Sequence, residues 1–99
     1  MDMLPGVTRV VGAADAAVGT SGANIRIYTV HLYGATGACS CVLRQGTTDS
    51  GTPMAFISAG AGASNTVNFA GGLLFTGGCF LDQSFGAADQ ATIIYSKQI

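Results

Sequence analysis

Ionised side chains are what this sequence has least of. Glutamate and tryptophan do not occur, histidine occurs once, and Asp, Glu, Lys and Arg together make 9% of the 99 residues. An ordinary soluble domain carries about 25%. The four cationic residues, Arg9, Arg26, Arg44 and Lys97, are dispersed, and the formal net charge is -1. With no clustered basic face, a general nucleic-acid binder is not expected. No apolar run approaches the about 20 residues of a membrane-spanning helix. The opening Met1-Asp2-Met3-Leu4-Pro5 lacks the basic and then apolar regions of a secretory signal. Neither nucleic acid nor membrane is therefore expected as a partner, and folding in a reducing cytoplasm follows. Three cysteines, an odd number, fit that compartment better than a disulfide framework.

What replaces the missing charge is apolar or small. Apolar residues and glycine, leaving out tyrosine, make about 60% of the chain, against a usual 45–50%. Such a surface tends to be covered, because monomers rarely leave large apolar patches in water. The chain is expected to be a subunit of an assembly; a monomer coated in Thr, Ser and Gly is the alternative.

Turn signals recur at short spacing, among them Gly19-Thr20-Ser21-Gly22, Gly34-Ala35-Thr36-Gly37, Thr48-Asp49-Ser50-Gly51, Gly71-Gly72, Gly77-Gly78 and Gly86-Ala87-Ala88-Asp89. Between them lie runs rich in Val, Ile, Tyr, Phe and Thr, which suit a pleated surface, and no long 3.6-residue stripe appears. The spacing predicts strands over 7–13, 23–33, 38–45, 53–58, 66–70, 73–76, 79–83 and 92–97. Eight short antiparallel strands make an all-β, jelly-roll-like sandwich. Residues 1–22 read as an N-terminal arm and first strand, and 23–99 as the sandwich body, one domain overall. Within 23–33, Ile25 and Ile27 share one parity and Val30 and Leu32 the other. A β-bulge produces such a slip; a strand covered on both faces is the alternative.

The segment Cys39-Ser40-Cys41 poses a chemical question. With His31 and Cys79 it could complete a Cys3His zinc set. Structural zinc, however, takes its thiolates from C-x(2–4)-C knuckles at S–metal distances of about 2.3 Å. Two thiols two residues apart on an extended strand are separated by about 6–7 Å. Buried thiols are the favoured reading, with a metal site and a disulfide as alternatives, and no cofactor is expected. His31 lies between Val30 and Leu32 and should face solvent or a neighbouring subunit rather than a nucleophile. The five aspartates sit mostly at turns or termini, where local hydrogen bonding favours them. The segment from Ser58 to Ser64 is glycine-rich, but no helix follows to complete a phosphate cradle. No residue pattern here indicates an enzyme.

The stretches Gly71–Asp82 (GGLLFTGGCFLD) and Gly86–Tyr95 (GAADQATIIY), with the turn from Val42 to Thr52 (VLRQGTTDSGT), resemble the strand and turn pattern of small virion proteins of tailed phages. The resemblance spans roughly Ile25 to Tyr95. It implies a capsid cement (decoration) subunit: a β-sandwich, usually trimeric, that bridges neighbouring major capsid proteins in the virion. A trimeric fibre or knob module, binding a receptor or another virion protein, is the alternative; it would use exposed aromatics such as Tyr28, Tyr33 or Phe85. The interface residues expected are Tyr28, His31 and Tyr33, with Met3, Leu4 and Pro5 in a docking arm over residues 1–6.

Overall fold

A computed structural model gives the fold and describes residues 3–11, 15–35, 37–85 and 89–98. The elements are β1 (Met3–Val11), β2 (Ala16–Ala17), β3 (Ile25–Tyr33), β4 (Cys39–Gln45), β5 (Thr52–Ala59), β6 (Ser64–Phe75), β7 (Cys79–Ser84) and β8 (Gln90–Gln98). Among the described residues there is no helix. The strands form two antiparallel sheets, ordered β1-β8-β3-β6 and β2-β7-β4-β5. β4 pairs with β5, β3 with β6, β2 with β7 and β1 with β8. The chain thus doubles back at the β4–β5 hairpin and the doubled chain rolls into two sheets, which is jelly-roll wiring. The expected fold class is the one observed.

β3 carries the predicted bulge. Its pairing with both β6 and β8 shifts between Ile27 and Thr29, and against β8 Tyr28 is the extra residue. That one insertion turns both halves of the strand inward, so Ile25, Ile27, Val30 and Leu32 are all fully buried. β4 fills the facing wall with Cys39, Cys41 and Leu43, also buried, while Ser40, Val42 and Arg44 point outward. The remaining core comes mainly from Phe75, Leu81 and Ile93.

Three boundaries differ from expectation for physical reasons. β1 begins at Met3 rather than at residue 7, so residues 3–6 are not an arm. They pair with Tyr95–Gln98 along the outer strand of the first sheet. An edge strand tolerates the missing N–H of Pro5. Gly6 suits its place because a Cβ there would stand 2.6 Å from Cζ of Tyr95. Met1 and Asp2 lie outside the described residues, as do Gly86–Ala88 of the predicted turn. The short β2 pairs with Leu81 and Phe80 of β7, so both strands of residues 1–22 are built into the sandwich. Lastly, the predicted strands 66–70 and 73–76 are one strand, β6. Gly71 and Gly72, at φ +75° and +83°, do not end it. Four β6 residues, 69–72, stand opposite the single extra residue Tyr28, so the glycine pair makes a wide bulge.

Candidate interaction surface

The three thiols are free and buried. Burial pushes Cys41 and Cys79 up to about 12, with a smaller contribution from the neighbouring thiol in each case. Cys39 is raised as well, by burial first and by the charge of Asp89 second, offset by a hydrogen bond from the Ala59 backbone. None of the three is held as a reactive thiolate at neutral pH. His31 lies on the other sheet and on its outer face, flanked by Thr66 and Thr92, while the thiols point inward. The Cys3His set is therefore not assembled. Among the described residues no group of three or more His, Cys, Asp or Glu could hold one ion. A shallow depression of about 330 Å³ lies at one end of the second sheet, over the serine row Ser58, Ser40 and Ser84. No charged side chain lines it.

The sandwich presents two outer faces. On the first sheet, cross-strand side-chain bonds tie β3 to its neighbours. Thr29 Oγ1 donates to Asn68 Oδ1 at 2.9 Å, His31 Nδ1 and Thr66 Oγ1 are 2.7 Å apart, and Tyr28 Oη and Ser96 Oγ are 3.0 Å apart. Tyr28 is half-buried and Tyr33 is 39% exposed at the strand end. Three of the six expected interface residues, Tyr28, His31 and Tyr33, thus share one strand and this face. The side chains of Met3, Leu4 and Pro5 lie outside the described ones. Phe85, expected to be an exposed aromatic, is buried: its N–H donates to Gln83 Oε1 at 2.7 Å, a local turn that folds the ring onto the core.

The second sheet's outer face is different. Phe56 on β5 stands opposite Val42, which stands opposite Asp82 on β7. In the next row Arg44 stands beside Phe80. Phe56 is 69% exposed, the most exposed large apolar side chain among the described residues, and Met54, the extra residue of a bulge in β5, is 38% exposed. The only ion pair among the described residues crosses this face, Arg44 Nε to Asp82 Oδ2 at 2.9 Å. Arg44 also donates from Nη1 to the Gly51 carbonyl at 3.1 Å, pinning the β4–β5 loop.

Charge is distributed unevenly along the chain as well. From Ser50 to Leu81 there is no Asp, Glu, Lys, Arg or His; average composition would place about eight charges there. This run forms β5 and β6, the outer strands of the two sheets on the same side of the sandwich. The two are joined by a tight turn in which the Ala63 N–H donates to the Gly60 carbonyl. Both long edges on that side are therefore uncharged. Residue-by-residue reading passed over Phe56 and Met54; the signal that finds them is this charge-free run.

Set against protein-family models, curated proteins and solved structures, the chain returns no match. No helix among the described residues is long and apolar enough to cross a membrane.

Proposed function

We propose that this chain is a structural subunit of a virion, a capsid cement subunit that bridges neighbouring major capsid proteins and performs no chemistry of its own. The observation that carries the reading is the uncharged β5–β6 side, with Phe56 and Met54 exposed beside it. Natural sheets protect free edges with lysines, prolines or bulges; the stretch of β5 from Ala55 to Ala59 carries none of these, and an edge so left is one meant to be covered. The jelly roll is used by capsid modules among others, and the strand and turn pattern resembles cement proteins. In the mechanism three copies pack about a threefold axis, and the trimer sits where capsid subunits meet. At about 25 cal/mol per Å², each ~400 Å² of apolar area covered contributes on the order of 10 kcal/mol before association costs. Repetition at every such junction lets modest contacts resist internal pressure.

The exposure of Tyr33 and Phe56 favours, as a second reading, a trimeric fibre or knob module binding a receptor or another virion protein. Copy number separates the two. Mass spectrometry of particles of the virus encoding this chain should find hundreds of copies for a shell protein and a few for a fibre. Particles containing none would remove both readings.

A further inference from the structure

We infer that the free edge of β5, with Phe56 beside it, is the surface on which a second copy of this chain seats. The inference rests on the self-association in the proposed function and adds to its threefold packing a separate, twofold contact between copies. Of the four outer strands, three carry a device that discourages pairing. β1 has Pro5 and the charged Arg9 within its length, β2 is two residues long, and β6 is broken by the wide bulge at residues 69–72. Each is a recognised way of blunting an edge. β5 has its proline and its bulge, Pro53 and Met54, at its start. Ala55 to Ala59 remain in regular register with β4, and their other side has no neighbouring strand, the Ser58 carbonyl alone of this stretch accepting from a side chain, Asn65 Nδ2 at 2.9 Å.

Charge selects the occupant. A partner bearing a charged strand would leave its ionised groups beside Phe56 and the uncharged edge, with nothing to pair them and a desolvation cost to meet. A second copy brings a strand equally free of charge, and its backbone donors and acceptors match those of β5 when the two run antiparallel about a twofold axis. Phe56, 69% exposed, then passes from water into the contact; an aromatic side chain buries about 150–250 Å² when fully covered. Ser58, exposed and on the same outward face, leaves room for close approach. The Arg44–Asp82 pair behind this edge neutralises itself within one copy, so two copies meet without like-charge repulsion.

The test is light scattering on the purified full chain and three variants, with circular dichroism to check folding. Phe56→Glu and Ser58→Lys place a charge on β5; Val7→Lys places one at an equally exposed position on β1 (Val7 is 63% exposed). The wild type should give a multiple of 9.9 kDa. Both β5 variants should fall to half the wild-type mass at the same concentration, with association weakened at least tenfold, while keeping the wild-type spectrum. Val7→Lys should leave the oligomer intact; if it splits the oligomer alongside the β5 variants, the pairing of β5 with the second copy's β5 is overturned. An unchanged oligomer mass in both β5 variants overturns the assignment to β5 and leaves the virion reading to the particle copy count. A wild type that is monomeric at all accessible concentrations overturns the second copy as occupant; an added strand from another protein would then be what covers the edge.

Discussion

On the outer face of the first sheet, Thr29, His31 and Tyr28 each reach a partner on a neighbouring strand: Asn68, Thr66 and Ser96. On the outer face of the second sheet, one ion pair stands among Phe56, Val42 and Phe80. The inner faces differ too, since all three thiols line the second sheet and none the first. The first sheet's outer face sets these cross-strand pairs, each of which contributes modestly, beside exposed Val7, Leu74 and Ile94. The second sheet combines a sulfur-lined inside with an outer face on which Phe56 is the most exposed large apolar side chain among the described residues. Apolar exposure is thus found on both outer faces; what separates them is that cross-strand hydrogen bonds tie the first and an ion pair the second.

The largest difference should appear in alkali. Cys41 and Cys79 are raised to about 12 from a reference of 9.0. In the unfolded chain both thiols lose their protons near 9; in the folded chain they keep them. Above pH 9 the unfolded state therefore binds fewer protons, and stability is lost as pH climbs from about 9 to about 12. The slope is up to about 1.4 kcal/mol per pH unit for each thiol. Urea unfolding followed from pH 8 to pH 11 should show this fall. The double variant Cys41→Ala, Cys79→Ala should start lower, because of the cavities, but flatten the slope. An unchanged slope would assign the alkaline loss to other groups.

Next in size is the bulge that shapes the first sheet. Gly72 has φ +83°, and a Cβ there would lie 2.6 Å from Cδ of Arg26 and 3.0 Å from Cε1 of Tyr28. Gly72→Ala should cost roughly 1–3 kcal/mol, combining left-handed backbone strain with the clash. Gly62, at φ +68° with nothing within 4 Å, supplies the control: Gly62→Ala carries only the backbone part, about 1–2 kcal/mol. Denaturant midpoints of the two variants would separate crowding from conformation, and equal losses would show that the bulge adds nothing.

Both the legible and the illegible parts of this fold trace to periodicity. The β3 bulge was readable because Ile25 and Ile27 change parity with Val30 and Leu32, and only an inserted residue lets all four face inward. Cys39, Cys41 and Leu43 alternate with polar or outward residues and so declared their side. Gly71-Gly72 read as a strand end because such a pair usually is one; β6 continues through it because β3 is paired on both sides of the interruption. β2, at two residues, is too short to carry any period. Met54-Ala55-Phe56-Ile57 is apolar throughout, so no alternation says which member faces out. Only the register against β4, with Phe56 opposite Val42, does that.

The ion pair should matter less than its position suggests. Arg44 and Asp82 side chains are 23% and 29% exposed, so solvent screens them, and pairs of this kind contribute about 0.2–1 kcal/mol. The bond from Arg44 to the Gly51 carbonyl adds about as much again. Arg44→Met should lower stability by about 1 kcal/mol, and the loss should shrink in 0.5 M salt, where the Debye length falls well below its 10 Å value at 0.1 M. A loss independent of salt would assign the effect to the loop contact.

The smallest effect, and the sharpest contrast with Phe56, belongs to His31. Its ring meets Thr66 on one side and faces Thr92 on the other, on a face where neighbours already satisfy one another. The His31–Thr66 contact is exposed, so water replaces it at little cost. A valine at this position gains strand propensity while giving up that contact. His31→Val should therefore shift stability by no more than about 0.5 kcal/mol and leave the light-scattering mass where the wild type has it. Phe56→Glu touches no internal contact of comparable quality, yet it should change the mass and not the fold. Dissociation on replacing His31, with Phe56→Glu silent, would invert the assignment of the two faces: the hydrogen-bonded sheet would be the one that meets its neighbours, and β5 the one that meets water.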